Sequence, residues 1–204
     1  MFVHDVQDVE PMPGALPLPR EITDPFSVLT ATPDHVVEAA TQALVANAVR
    51  DGVRLVRSRF GSQLAGRIRH DGQGAQRFKS KARPPAYVDI PVRYTCEVDV
   101  EQTGLTAYAT LTHELGHLYC GHLGTPNPKW WPDQSHQDRR TAEFEAEVVS
   151  AITVARLDPT AAMPPYLAQY LEKAPTIPEG MNLERVMKAA GLIVEMTESK
   201  LGLR

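Results

Sequence analysis

The chain has 204 residues, of which 43% are hydrophobic and 23% charged, with a formal net charge of −4. These values fit one soluble globular domain with a sizeable core, and no apolar run approaches the length of a membrane span. The start, MFVHDVQDVEPMPG, has neither a basic patch nor an apolar core of the signal-peptide kind, so a cytoplasmic setting is expected, with Cys96 and Cys120 as thiols. The charge is unevenly spread. Residues 50–83 hold ten Lys/Arg against two acids, whereas the rest holds eleven against twenty-three. Such an imbalance points either to an anionic partner, nucleic acid included, or to charge pairing within the molecule.

Residues 1–33 contain six prolines and read as an extended arm, leaving 34–204 as a single domain. A helix is predicted from Thr32-Pro33-Asp34, where Thr32 or Asp34 can cap it and Pro33 suits a first turn. Its apolar positions run from Val36 to Val49, and after Gly52 the pattern of Val53, Leu55, Val56 and Phe60 extends it. Residues 61–83, polar, basic and glycine-bearing, read as a loop. Over 86–100 the period changes to two, with Val88, Ile90, Val92, Tyr94, Cys96, Val98 and Val100 alternating with polar residues. This is the pattern of a half-buried strand or hairpin, placed at a sheet edge or broken at Pro91, which cannot donate a ladder hydrogen bond. A helix follows over 106–120 and a polar, tryptophan-bearing loop over 125–140. Further helices are predicted over 141–157, near 165–173 and over 182–201. The expected class is α+β, mostly helical, with a small sheet packed on the 106–120 helix.

That helix carries His113-Glu114-Leu115-Gly116-His117, an H-E-x-x-H pattern in a chain with only seven histidines. At about 100° per residue, Tyr108, Leu111, Leu115 and Leu118 form one apolar stripe, while His113 and His117 stack one turn apart on another face. Two imidazoles so placed reach one ion, and their borderline softness suits Zn²⁺. With a third protein ligand, the fourth tetrahedral position is left to water, whose pKa the ion lowers to about 7. Glu114, beside the histidines, can take that proton and later return it to a leaving amine. The third ligand is sought on the 141–157 helix, where Glu143 and Glu147 share a face bordering Phe144, Val148, Ala151 and Ala155. One carboxylate would ligate and the other would hold a ligand imidazole by its free N–H. Glu143 is assigned as ligand and Glu147 as its support, with the reverse open and Glu145 a weaker option. His122 reads as a helix end, Cys120 as packing, and His136, Tyr108, Tyr119, Tyr166 and Tyr170 as weak candidates for oxyanion donors.

The run Tyr108-Ala-Thr-Leu-Thr-His-Glu-Leu-Gly-His117, followed by Leu118-Tyr-Cys-Gly-His-Leu-Gly124, resembles the ImmA/IrrE family of metallopeptidases. The E-F-E-A-E stretch at 143–147 also resembles the catalytic domain of ArdC-type antirestriction proteins, over about residues 85–200 in all. The resemblance implies a zincin-like core, His113 and His117 as zinc ligands, Glu114 as the catalytic glutamate and a third ligand within 143–147. Matching E-x-x-A-E selects Glu143, whereas matching the E-A-N-x-F-A form selects Glu145; this chain has Glu147 and Val149 where that form has Asn and Phe. The implied activity is intracellular cleavage of a protein substrate such as a repressor or regulator, with strand 86–100 pairing to the extended substrate. The alternative is a non-catalytic zinc module that binds nucleic acid or an acidic protein through segment 50–83.

Overall fold

The computed structural model describes residues 12–16, 31–60, 64–80, 83–162 and 177–203. Nearly all of the 1–33 arm and the helix expected at 165–173 lie outside the described residues. The architecture is α+β. Helix α1 (Asp34–Ala48) and a short 3₁₀ turn (Val49–Asp51) lead into strand β1 (Val53–Ser58). Strands β2 (Gly66–His70), β3 (Ala75–Lys79), β4 (Tyr87–Pro91) and β5 (Tyr94–Asp99) come next, then helices α2 (Gly104–Tyr119), α3 (Arg139–Leu157) and α4 (Leu183–Glu198). None of these helices is long and apolar enough to cross a membrane.

Two sequence expectations fail here. Residues 53–58 do not extend α1: Gly52, at φ +82°, breaks the helix, and β1 pairs parallel with β5 from Val53↔Tyr94 to Ser58↔Asp99. The basic 61–83 segment is not simply a loop. It supplies β2, antiparallel to β5, and β3, which forms a separate two-stranded ribbon with β4. The main sheet therefore has the order β1-β5-β2. Of the two alternatives for 86–100, an edge strand or a break at Pro91, the structure takes the break. The chain breaks after Pro91, and its second half, β5, is the central strand with every residue buried.

Charge complementarity explains why β5 can be central and still carry acids. Tyr94, Cys96 and Val98 join the hydrophobic core. The alternate residues Thr95, Glu97 and Asp99 are buried as well, under side chains from the flanking strands. Glu97 takes Arg67 at 2.5 Å, Arg69 at 3.4 Å and the Ser58 hydroxyl at 3.0 Å. Arg54 and Thr95 both reach Asp71 Oδ2 at 2.5 Å, and Arg57 donates to the carbonyls of Asp99, Val100 and Gln102. Much of the basic excess of 50–83 is thus matched within the molecule.

The helices cover the other face. Leu44, Leu115, Leu118, Ile193 and Met196 are fully enclosed, each side chain contributing about 1.5–3 kcal/mol of burial. Helix α1 starts with Pro33 at its cap, and the Thr32 hydroxyl, a predicted cap, donates instead to Leu157 O at 2.7 Å. Asn47 ties α1 to the end of α4 by donating to Met196 O and Ser199 O and accepting from the Leu201 N–H.

Candidate metal centre

Helix α2 buries Tyr108, Leu111, Leu115 and Leu118 at 0–3% exposure, so its periodicity turns the 113–117 motif toward a groove between β2, α2 and α3. The groove, of about 670 Å³, is lined by Leu64–Ile68 of β2 and its approach, by His113, Glu114 and His117, and by Glu143 and Glu147. Gly66 lets the strand come this close. A Cβ there would stand 2.6 Å from Thr110 Cγ2 and 2.9 Å from the Glu97 carbonyl oxygen.

Three donors converge in the groove. Glu143 Oε2 lies 3.6 Å from His113 Nε2 and 3.5 Å from His117 Nε2. Donors bound tetrahedrally at zinc distances of about 2.0–2.1 Å would be roughly 3.3–3.4 Å apart. These residues are therefore spaced to hold one metal ion. Each imidazole is also oriented from its other side. His113 Nδ1 is 2.9 Å from Glu147 Oε2, and His117 Nδ1 is 3.0 Å from His122 Nδ1. Both leave Nε2 facing Glu143.

Electrostatics follow from burial and from these contacts. Burial works to lower His113, but hydrogen bonding to Glu143 and Glu147 outweighs it and raises the imidazole to about 9. His117 is lowered, with burial the main cause. The two imidazoles hold Glu143 well below the usual carboxylate range. Glu114 moves the other way. Burial lifts it to about 7, partly opposed by the charge of His113 and by a hydrogen bond from the Ile68 N–H of β2.

Glu145 is neither a groove residue nor a solvent-facing one. Of the stripe expected on α3, Phe144 is buried and Val148 packs against the core, whereas Ala155 is exposed, and the buried face extends over Ala142, Glu145, Ala146, Val149 and Thr153. That face meets α2 at Gly116 and also packs on α4. Glu145, fully buried, accepts from Arg185 Nη2 at 2.5 Å, Arg185 Nε at 3.0 Å, the Asn182 N–H at 2.8 Å and His122 Nε2 at 3.0 Å. Cys120, His122 and Glu145 also cluster at metal-binding separations, but Arg185 already supplies the cation there. Burial pushes the Cys120 thiol up to about 12, so it stays protonated.

His122 was not recognised as a site residue in the sequence. Its signal is the glycine before it: Gly121 takes φ +86°, and a Cβ there would fall 2.0 Å from Pro132 O. The chain reverses at that point and returns His122 to the ring of His117. The weaker oxyanion candidates do not gather at the groove. Tyr108 and Tyr119 are core residues, with Tyr119 donating to Asp51 Oδ2 at 3.0 Å. His136 is not among the groove-lining residues, and Tyr166 and Tyr170 lie outside the described residues. Comparison of the chain with family models, with curated proteins and with solved structures finds no match.

Proposed function

We propose that this protein is a zinc-dependent peptidase of the zincin type, related to the ImmA/IrrE metallopeptidases, acting on a protein substrate in the cytoplasm. The observation that carries the reading is the convergence of His113 Nε2, His117 Nε2 and Glu143 Oε2 at 3.5–3.6 Å in an open groove, with Glu114 beside them. Two imidazoles and one carboxylate are a donor set that zinc favours and that leaves one position open. Once bound, the ion would supply Lewis acidity, acidifying water and polarising a carbonyl.

The chain's own residues account for the rest. Glu114, lifted to about 7 by burial, is poised to accept a proton at neutral pH and to return it to the leaving amine. Among the described residues, β2 is the edge strand of the sheet beside the groove, and an extended peptide would lie along it by strand addition. This role moves from the 86–100 segment to 64–70, because β5 is flanked on both sides. The apolar groove residues Leu64, Ile68, Ala109 and Leu123 would receive substrate side chains.

The test pairs metal analysis with proteolysis. Wild-type protein is expected to carry one zinc per chain and to cleave an unfolded protein such as reduced casein. Glu114→Gln should keep the zinc and lose the cleavage. Substoichiometric zinc after reconstitution, or full activity in Glu114→Gln, would refute the proposal.

A further inference from the structure

The two histidines of the metal centre are held by different chemistry. Behind His113 stands a carboxylate, Glu147, which accepts an N–H without condition. Behind His117 stands another imidazole, with the two Nδ1 atoms 3.0 Å apart. A neutral imidazole nitrogen accepts only when the ring's proton sits on its other nitrogen. His117 can offer Nε2 to a metal only as the Nδ1–H tautomer. Its Nδ1–H then needs His122 Nδ1 bare and His122 Nε2 protonated.

Something must therefore hold the His122 proton on Nε2. Glu145 Oε2 lies 3.0 Å from that nitrogen and can only accept while ionised. Glu145 has no exposure to water, so no solvent molecule competes for the role. Its carboxylate is fixed by the forked contact from Arg185 and by the backbone N–H of Asn182. Arg185 sits at the start of α4, forty positions from Glu145 in sequence, and its side chain is 10% exposed.

We infer that Arg185, Glu145 and His122 form a relay of positioning residues that sets the tautomer and aim of His117, so that the C-terminal helix controls metal affinity at the groove. The inference rests on the metal-centre reading above. It predicts one proton arrangement throughout. Arg185 donates to Glu145, which accepts His122 Nε2–H; His122 Nδ1 then accepts His117 Nδ1–H, and His117 Nε2 faces the metal. It also explains why the histidine just past the motif helix is turned inward rather than left in solvent.

The experiment uses the full chain, with cobalt(II) as a visible probe and zinc as competitor. His122→Ala removes the acceptor and is expected to weaken metal binding by about 10–100-fold, the range typical when the partner behind a ligand is lost. His122→Asn places an amide oxygen near the position of Nδ1 and should recover most of that loss. Arg185→Met, which frees Glu145 to turn, should weaken binding in the same direction with groove residues unchanged. In zinc-loaded wild type, ¹⁵N-detected imidazole spectra should show His117 protonated on Nδ1 and His122 protonated on Nε2. That measurement needs no destabilised variant. A His122 proton on Nδ1, or unchanged affinity in His122→Ala, overturns the relay while the metal centre stands. Failure of wild type to take up either metal overturns the metal-centre reading and the relay with it.

Discussion

Truncating Glu147 tests the geometry of the metal centre most directly. Glu147 Oε2 sits 2.9 Å from His113 Nδ1 and Glu143 Oε2 about equally far from both Nε2 atoms, so the two carboxylates have separable roles. Glu147→Ala removes a supporting acceptor and should weaken zinc by about 10–100-fold, with Glu147→Gln in between. With free zinc at about 100 times the wild-type Kd, binding stabilises the native chain by about 2.7 kcal/mol. A tenfold weaker site retains about 1.4 kcal/mol of this and a hundredfold weaker one about 0.4 kcal/mol. The loss is thus about 1.3–2.3 kcal/mol, which for a chain near 200 residues shifts Tm by roughly 3–9 °C. The assay is differential scanning calorimetry with and without zinc. Taking the metal-dependent Tm increment in each variant cancels any change in apo stability. Glu143→Gln, which removes a ligand, should shrink the increment further still. A larger loss in Glu147→Ala than in Glu143→Gln would reverse the two roles, and an undiminished increment in both would dismiss the site.

The charge lattice on β5 makes stability depend on acid. Hydrogen bonding from Arg67 is the main cause that holds Glu97 below its ordinary 4.5. The Thr95 hydroxyl lowers Asp71 and the Glu101 N–H lowers Asp99, both from 3.8. Depressed native values mean that the unfolded chain binds protons first, so this stabilisation is complete above about pH 4.5 and disappears on further acidification. Urea midpoints should fall through this window, and less steeply in Glu97→Gln; parallel curves would contradict the pairing. At the helix end, Gly121→Ala combines a left-handed backbone with a Cβ 2.0 Å from Pro132 O. The expected cost is about 2–5 kcal/mol, from αL strain plus overpacking, together with weakened metal binding through displaced His122. A chemical-denaturation change under about 0.5 kcal/mol, within the range of an ordinary surface substitution, would contradict it.

What could be read from the sequence were the features whose partners are near in the chain. The stripe of Leu111, Leu115 and Leu118 and the pairs His113/His117 and Glu143/Glu147 repeat at helical spacing, and local periodicity places them. Strands β1 and β2 could not be read that way. Val53-Arg-Leu-Val-Arg-Ser fits a helix as well as a strand until its pairing with β5, some forty residues later, is known, together with the partners of its arginines: Asp71 for Arg54, and the carbonyls of Asp99, Val100 and Gln102 for Arg57. The setting of Glu145 is equally remote in sequence. Local spacing leaves Glu145 a weaker ligand option, and its burial becomes tolerable through Arg185 and the Asn182 N–H at the start of α4 and His122 from a reversed turn.

The parallel pairing of β1 with β5 means that the chain must cross over between Ser58 and Tyr94 before pairing again. Strand β2, which walls the groove, is laid down within that excursion and holds on through β5 and α2. The helices that present the histidines and glutamates pack on one another without it. Floor and wall are therefore expected to open separately, the wall first. Amide protons of 66–70 should exchange ahead of those in α2 and α3, so that the groove can widen while His113, His117 and Glu143 stay in register.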